Sequence, residues 1–294
     1  MPVGFHQRDC CPLCESTSSK VLCEIPYHDQ RLATFIGQFY RERVPLESLE
    51  SANYRVVFCT NCDFIYQDPV LNETGMQALY VNWIDQTQSL QKKQTAKSRL
   101  YRQYAGQIHT LSRLFSKRPD QIRVLDFGMG WGYWSRMAQS HGLNVVGYEL
   151  SAQRVEHARK MGVTVVEDLS MVEDDFDFIY ANQVFEHLPN PVQTMQTLCQ
   201  RLKPTGFVYI RVPDGRGVAR CLAQRGWTPD LDAIHPLEHI NCFTRQTLIA
   251  LGARAGLKPF SPPLRLSWDG LWGGIRREIV DRWFTTHLFF SRQD

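Results

Sequence analysis

Strand-like and helix-like segments alternate from Gln121 to Pro213, and this alternation restricts the fold more than any other feature of the chain. The strand-like segments are short, nearly continuous apolar runs, as in a parallel sheet that is buried on both faces. The helix-like segments carry start and stop signals, among them Ser151 and Gly162. We therefore predict an α/β fold with a doubly wound, mostly parallel sheet. Its predicted strands are IRVLDF, NVVGYEL, VTVVED, FDFIYANQVF and GFVYIRVP.

A glycine-rich turn follows the first of these strands, in the sequence VLDFGMGWGYW. Ligands of doubly wound sheets bind outside the carboxyl ends of the strands, so this turn marks the expected site. A dinucleotide-binding turn reads G-x-G-x-x-G and directs a helix N-terminus at a pyrophosphate. Here Asp126 precedes Gly128, Gly130 and Gly132, and a carboxylate at that point suits a ligand with an ammonium group. The spacing therefore disfavours an NAD-dependent oxidoreductase, which is the alternative enzyme.

Two further acidic residues end the next two strands. Glu149 follows the turn by about 20 residues, where it can accept both hydroxyls of a ribose. Asp168 follows the third strand, where an adenine amino group can donate to it. Each residue alone is equally consistent with a solvated strand end. Their order after Asp126 predicts a binding site for a cationic nucleoside.

Four of the nine cysteines form two C-x-x-C pairs, which lie about 45 residues apart. Two-residue spacing lets both thiolates of a tight turn contact one ion, and two such turns complete a tetrahedral zinc site. Strand-like sequence adjoins each pair, as in a zinc ribbon. Reduced, unligated cysteines and a redox pair are the alternatives. We predict a structural Zn²⁺ held by Cys11, Cys14, Cys59 and Cys62.

These motifs resemble those of class I S-adenosylmethionine (SAM) dependent methyltransferases. The glycine turn is similar to their first motif, VVGYEL to their ribose-binding strand end, and DFIYANQVFEHLPNP and LKPTGFVYIRVP to their fourth and fifth strands. The resemblance covers roughly Ile122 to Leu257, and the tail HPLEHINCFTRQTLIALGARAGL is similar to that of the ubiquinone-methyltransferase-like group. The cysteine pairs resemble the zinc-binding N-terminal module of sugar C-methyltransferases.

The resemblance implies a Rossmann-like fold, SAM as cofactor and methyl transfer to a small-molecule acceptor. The implied acceptors are a sugar or glycan precursor, a lipid-linked one included, and other secondary metabolites, with O-methylation marginally favoured over C- or N-methylation. A zinc-ribbon scaffold protein with a non-catalytic Rossmann-like domain is the alternative from another class. The implied cofactor-binding residues are Asp126, Gly128, Gly130, Glu149, Leu150, Asp168, Asn182 and Gln183.

An oxygen or carbon acceptor can require a general base, and three histidines are candidates: His187, His235 and His239. His235 and His239 are four residues apart, so one helical face would present both. A hydrogen-bonded structural role is the alternative for each. A metal at His235 and His239 is disfavoured, because Glu238 would point elsewhere on a helix. Gln183 also replaces the first glutamate of the E-x-x-E-H motif that some ubiquinone-pathway O-methyltransferases carry, which disfavours metal assistance.

The expected domains are a zinc-ribbon-like module over 1–80, a helical connector over 81–120, a SAM-binding core over 121–262 and a C-terminal amphipathic helical extension over 263–294. We expect this extension to pack on its own domain, to seal a dimer or to lie on a membrane surface. A formal net charge of +3 without a dense Lys/Arg stripe predicts no nucleic-acid partner. The sequence contains no signal peptide and no membrane-spanning run, so we expect a cytoplasmic location.

Overall fold

The computed structural model describes residues 2–172, 175–224, 226–230, 233–262 and 285–293. Two compact units make up the chain. The cysteine unit comprises Met1–Gln86, Phe185–Gln193 and Val212–Leu251. The sheet unit comprises Thr87–Val184, Thr194–Arg211 and Gly252–Asp294. The expected amphipathic helix falls on residues 263–284, which lie outside the described residues.

The strands and helices are numbered here in chain order. The strands are β1 Phe5–His6, β2 Ser19–Pro26, β3 Asn53–Cys59, β4 Ile65–Gln67, β5 Val70–Leu71, β6 Arg123–Phe127, β7 Asn144–Tyr148, β8 Thr164–Val166, β9 Phe176–Asn182, β10 Leu202–Arg211, β11 Asn241–Cys242, β12 Leu257–Phe260 and β13 His287–Arg292. The helices are α1 Gln30–Tyr40, α2 Glu73–Ala78, α3 Gln86–Gln94, α4 Ser98–Ser112, α5 Tyr133–Ser140, α6 Ala152–Lys160, α7 Pro191–Gln200, α8 Val218–Leu222 and α9 Arg245–Arg254. Among the described residues, no helix combines the length and the apolar character needed to cross a bilayer.

The sheet unit contains the parallel sheet that the sequence predicts. Within the described residues its seven strands are ordered β12-β13-β10-β9-β6-β7-β8. The strands from β10 to β8 in that order are parallel to one another, whereas β13 is antiparallel to both of its neighbours. The five parallel strands are the five predicted ones, which confirms the doubly wound α/β fold class.

An amphipathic helix covers part of this sheet. Tyr104, Ile108 and Leu111 recur at spacings of four and three on α4, and all three are buried. They share an apolar core with Val124 of β6 and Phe178 of β9. Burying a large apolar side chain contributes about 1.5–3 kcal/mol, so this stripe fixes α4 on the sheet.

The strand β13 differs from the expected division of the chain. It lies within residues 263–294, for which the sequence predicts a helical extension, yet it pairs with β10 and β12. Leu288 and Phe290 are buried and alternate with half-buried residues, which is the period of a strand. The end of the expected extension therefore belongs to the sheet.

The cysteine unit is built on an antiparallel sheet ordered β11-β4-β3-β2. The strand β11 comes from a part of the sequence that follows the parallel strands, and it pairs with β4 near the second cysteine pair. Leu222, Ile234 and Leu237 join the apolar core of the same unit. Residues 212–251 thus fold with the cysteine pairs, whereas the sequence assigns them to a core over 121–262.

Candidate active site

The glycine turn follows β6 and adopts a backbone that favours glycine. Gly128 and Gly130 have φ angles of +68° and +59°. A Cβ on Gly128 would lie 2.6 Å from Cγ2 of Val184, so a side chain does not fit there. A Cβ on Gly130 would meet no described atom within 4 Å, so this residue borders open space. A ligand can therefore approach the main chain at Gly130.

Asp126 lies on β6, between β7 and β9, and only 2% of its surface is exposed. The Ser135 hydroxyl donates to its Oδ2 over 2.5 Å. Burial raises the pKa of Asp126 to about 7, because a low-dielectric surrounding disfavours the charged carboxylate. The Ser135 hydrogen bond opposes this shift, and the charge of Glu149 adds to it. A cationic ligand group beside Asp126 would favour its ionised form.

Glu149 follows β7 and is fixed by backbone donors. The amide of Gly130 donates to its Oε2, and those of Leu150 and Ser151 donate to its Oε1, each over 3.0 Å. Nη1 of Arg154 lies 3.9 Å from Oε2. The carboxylate thus ties the glycine turn to the end of β7, and Oε2 retains a lone pair that a hydroxyl can use.

A cavity of about 220 Å³ opens beside the glycine turn within the sheet unit. Its lining includes five of the predicted cofactor-binding residues: Asp126, Gly128, Gly130, Asn182 and Gln183. These residues come from the ends of β6 and β9, which are adjacent in the sheet. The structure therefore brings together the acidic and glycine motifs around one cavity.

The other three predicted cofactor residues are not part of this lining. Glu149 adjoins it through the hydrogen bond from Gly130, and Leu150 contributes its amide although the residue is 67% exposed. Asp168 precedes a short turn, in which its Oδ1 accepts from the Ser170 amide over 2.8 Å. Hydrogen bonds from the Ser170 hydroxyl and then from the Ser170 amide lower the pKa of Asp168. The contact of Asp168 with adenine stays a prediction.

Two buried polar atoms belong to residues that line the cavity. Oδ1 of Asn182 and Nε1 of Trp134 have no hydrogen-bond partner among the described residues. An unpaired buried polar group lowers the stability of the fold by about 1–3 kcal/mol. A ligand that supplies the missing hydrogen-bond partner would remove this penalty. Together with Asp126 they fit a ligand that carries both donors and acceptors, as SAM does.

The helix α3 supplies lining residues that the sequence did not reveal. Ser89 and Lys93 both line the cavity, and Nε1 of Trp131 donates to the Ser89 hydroxyl over 3.0 Å. The two α3 residues are one helical turn apart and so share a face. Leu90 is the one apolar residue of this helix, and its sequence therefore gives no periodic signal for the contact.

The four predicted zinc ligands come together in the cysteine unit. The sulfurs of Cys11 and Cys62 are 3.7 Å apart, and those of Cys14 and Cys59 are 3.5 Å apart. Tetrahedral Zn–S bonds of about 2.3 Å would separate sulfurs by about 3.8 Å. Cys10 does not belong to this cluster. The arrangement is compatible with a closed structural zinc site.

The two cysteine turns share one backbone conformation. In each turn the residue after the second cysteine has a positive φ, 63° at Glu15 and 60° at Asp63. The amide of Glu15 donates to the carbonyl of Cys11 over 2.9 Å, and that of Asp63 to Cys59 over 3.0 Å. Both turns therefore close in the same way, and their sequences share the C-x-x-C spacing and the acidic residue that follows it.

The three candidate histidines also lie in the cysteine unit. The ring centroid of His239 is 4.0 Å from that of His235 and 4.9 Å from that of His187. The segment that contains His235 and His239 consists of turns, so the helical face assumed from their spacing is wrong. The backbone bends instead, and it still brings the two rings together.

The histidines differ in their surroundings. His235 is 3% exposed, and burial followed by the charges of His239 and His187 lowers its pKa to about 2. Nδ1 of His187 lies 2.9 Å from the carbonyl oxygen of Glu238. A carbonyl only accepts, so neutral His187 carries its proton on Nδ1 and leaves Nε2 as an acceptor. This is the tautomer that a general base acting through Nε2 requires.

Two buried amides hold the histidine segments in place. Nε2 of Gln67, at the end of β4, donates to the carbonyls of His235 and His239 over 2.8 and 3.0 Å. Nδ2 of Asn241 donates to the carbonyls of Phe185 and Leu188 over 3.0 and 2.7 Å. Both amides are positioned by the antiparallel sheet of the cysteine unit. Sequence reasoning missed them because their partners are distant in the chain.

Glu186 joins this cluster from the turn that carries His187. Its carboxylate is buried, and Oε1 lies 3.9 Å from Nε2 of His187. Ligand atoms of Glu186, His187 and His239 all lie within 4.8 Å of one another. Carboxylate and imidazole groups at such distances can hold a proton or a divalent ion. The sequence did not identify Glu186 as a site residue.

Comparisons with known proteins agree with this architecture. A family model described as a methyltransferase domain matches residues 97–261, which is more than half of the chain. The plantazolicin methyltransferase BpumL, solved with a triazolic desmethylPZN analog and SAH, superposes with a TM-score of 0.50 at 15% identity. That superposition covers 74% of this chain and 95% of the other, and it shows likeness of fold alone.

Curated relatives align over part of the chain. The ubiquinone biosynthesis O-methyltransferase of Actinobacillus pleuropneumoniae serotype 7 is 28% identical over 102 residues, which is 30% of this chain and 44% of that protein. The enzyme of the same name from Agrobacterium fabrum is 31% identical over 112 residues, 35% of this chain and 45% of that protein. The chain thus spans less than half the length of these relatives.

Proposed function

The chain belongs to the methyltransferase domain family, and from this premise we propose that it transfers a methyl group from SAM to a small-molecule acceptor. One observation carries the proposal: Asp126 and Glu149, at the ends of adjacent parallel strands, flank a glycine turn that borders a cavity. Bound SAM would supply a sulfonium-activated methyl group. The protein would bind the cofactor, align the acceptor and accept a proton.

Asp126 and Glu149 have separate roles in this proposal. Buried Asp126 and the orphan Oδ1 of Asn182 would accept hydrogen bonds from the ammonium of the methionyl part. The Oε2 lone pair of Glu149 would accept a ribose hydroxyl. Gly130 would let the cofactor contact the backbone. A pyrophosphate would face two carboxylates here, which counts against NAD.

Calorimetric titration with SAM, S-adenosylhomocysteine and NAD tests the cofactor. We expect micromolar binding of the two sulfur nucleosides and no binding of NAD. Failure of both sulfur nucleosides to bind would contradict the proposal. Binding without turnover of any acceptor would instead favour the scaffold alternative.

For the acceptor we propose a hydroxyl group on a sugar or glycan precursor, free or lipid-linked, or on another secondary metabolite. The name of the two curated relatives describes O-methylation, which supports an oxygen acceptor. A screen of hydroxylated acceptors with methyl-labelled SAM tests this class. Transfer of label only to amine acceptors would contradict it.

We further propose that His187 or His239 is the general base. A base works best when its pKa is near the working pH, and the pKa of about 2 makes His235 unsuited to that task. His187 has the required tautomer because Nδ1 donates to the Glu238 carbonyl. His235 would then pack against His239 and hold its ring in place.

A metal-assisted reaction is a second candidate, favoured by the short distances among Glu186, His187 and His239. An ion at this cluster would lower the pKa of an acceptor hydroxyl and remove the need for a free imidazole. Turnover after dialysis against EDTA, followed by addition of Mg²⁺ or Mn²⁺, separates the two mechanisms. If EDTA-treated protein that still contains its zinc turns over at an unchanged rate, the metal-assisted mechanism is excluded and the histidine base mechanism is supported.

A further inference from the structure

The cavity beside the glycine turn contains more positive charge than the cofactor motifs explain. Lys93 of α3 and Arg154 of α6 line it together with Asp126. Arg154 is engaged, because it lies 3.9 Å from Glu149 and its guanidinium lies 5.8 Å from the centroid of the Trp131 ring. Among the described residues, Lys93 makes no ion pair with a carboxylate. A half-buried ammonium therefore faces the cavity, where Asp126 is the carboxylate that acts on its charge without forming an ion pair with it.

The helix α3 is attached to the glycine turn at this place. The Trp131 indole donates to the Ser89 hydroxyl over 3.0 Å, and Lys93 lies one helical turn beyond Ser89. The attachment is side chain to side chain and joins α3 to the residue directly after Gly130. Lys93 is thereby held beside the turn that would contact the cofactor. It precedes residues 97–261, so the methyltransferase family model does not include it.

The electrostatics favour an anion beside Lys93. Burial lowers the pKa of Lys93, the positive charges of Arg154 and Arg211 lower it further, and Asp126 opposes them. The ammonium is thus disfavoured as the cavity stands, and an incoming carboxylate would stabilise it. Trp134 Nε1, which has no partner among the described residues, offers a second donor in the same lining.

We propose that Lys93 binds the α-carboxylate of the cofactor's methionyl group, with Trp134 as an additional donor. The proposal rests on SAM being the cofactor. It divides the cavity by charge: Lys93 and Trp134 recognise the carboxylate, whereas Asp126 and Asn182 recognise the ammonium. A zwitterion would satisfy both halves. The helix α3 thereby becomes part of the cofactor site, although no sequence motif marks it.

The test compares a ligand that carries the α-carboxylate with two that lack it. S-adenosylhomocysteine has both the carboxylate and the ammonium, decarboxylated SAM has only the ammonium, and 5′-methylthioadenosine has neither. Calorimetry would measure the Kd of each for the wild type, Lys93→Met, Lys93→Arg and the neighbouring exposed control Lys92→Met. All variants are used as the full chain, and their melting temperature and zinc content are checked first.

We expect Lys93→Met to weaken S-adenosylhomocysteine binding roughly ten- to hundredfold, as for a lost charge-assisted hydrogen bond. Its effect on decarboxylated SAM and 5′-methylthioadenosine should stay within about twofold. Lys93→Arg should restore part of the loss, and Lys92→Met should match the wild type.

Equal losses for all three ligands would overturn the proposal, since Lys93 would then support the fold of the cavity. An unchanged Kd for S-adenosylhomocysteine in Lys93→Met would overturn it as well. If the wild type binds none of the three ligands, the proposed function itself fails and this inference fails with it. Wild-type binding of S-adenosylhomocysteine therefore distinguishes the two failures.

Discussion

Asp126 connects pH to cofactor binding at the scale of a single residue. Its pKa of about 7 means that the free protein holds this carboxyl protonated in acid and ionised above neutrality. A ligand ammonium favours the ionised form, so the affinity for SAM should rise with pH up to about 7 and then level off. The Kd for SAM measured between pH 5.5 and 8.5 checks this.

The substitution Asp126→Asn removes the titrating group. We expect binding about ten- to hundredfold weaker than that of the wild type above pH 7, with a much flatter pH profile. The exposed Asp120→Asn on the same unit is the matched control and should behave as the wild type. A pH profile that persists unchanged in Asp126→Asn would assign the titration to another group.

The histidine cluster allows a second prediction about single residues. Replacing the base, His187 or His239, by Gln should lower kcat by about 10²–10⁴-fold, the usual contribution of general base catalysis. The Kd for SAM should not change, because the predicted cofactor residues belong to the sheet unit. Exposed His28→Gln serves as the control. Full turnover in both variants would exclude an imidazole base.

The sequence predicts residues best where their position is local to an element. Asp126 and Glu149 each stand at the end of a strand, so recognising the strand places the carboxylate. Lys93 and Gln67 carry no such signal, because the residues that surround them in the fold are distant in the sequence. Burial gives Asp126 and His235 their shifted pKa values, and burial depends on tertiary packing that a single sequence does not show.

At the scale of elements, the three-residue strand β4 positions the segment that contains His235 and His239. Gln67 at its end bridges the carbonyls of His235 and His239. In Gln67→Leu the buried carbonyl of His235 and the partly buried carbonyl of His239 lose this donor, and each unsatisfied group costs up to about 1–3 kcal/mol. We expect the free energy of unfolding to fall by about 2–5 kcal/mol, measured by urea denaturation.

The exposed Gln38→Leu on α1 is the matched control and should change the free energy of unfolding by at most about 0.5 kcal/mol. The same Gln67→Leu protein should also lose turnover, since the histidine turn would no longer be held. Wild-type stability in Gln67→Leu would show that the two hydrogen bonds are not maintained in solution.

Element prediction succeeds where the apolar pattern of a segment is clear in the sequence. The parallel strands are nearly continuous apolar runs, α4 repeats its apolar residues at spacings of three and four, and all of them are present. β11 has only two residues, and the apolar run of β13 is limited to three adjacent residues between polar ones, so neither segment has a pattern that marks it as a strand. The segment from His235 to His239 shows the opposite error: the four-residue spacing of the two histidines predicts a helix, and the backbone forms turns instead.

For the whole molecule, the division into units separates the proposed cofactor residues from the candidate bases. The cysteine unit contains both the four-cysteine cluster and the histidines, whereas Asp126, Glu149 and the cavity belong to the sheet unit. The sequence predicts a zinc module followed by a catalytic core because it orders domains along the chain. The chain does not keep that order, because β11 follows the parallel strands in the sequence yet pairs with β4 in the sheet of the cysteine unit.

This division predicts different responses to zinc removal. Chelation would release the two cysteine turns, and the second turn leads directly into β4. Without the metal, β4 would no longer be held in place. Gln67 at its end would then no longer hold the carbonyls of His235 and His239. We expect turnover to fall by at least about tenfold, while the Kd for S-adenosylhomocysteine changes by less than about threefold. Cys14→Ser should act as chelation does, and exposed Cys221→Ser should act as the wild type.

Turnover that survives complete loss of zinc, verified by metal analysis, would show that the ion does not support the histidine cluster. Equal loss of cofactor binding and turnover would mean that the two units do not respond separately to the metal.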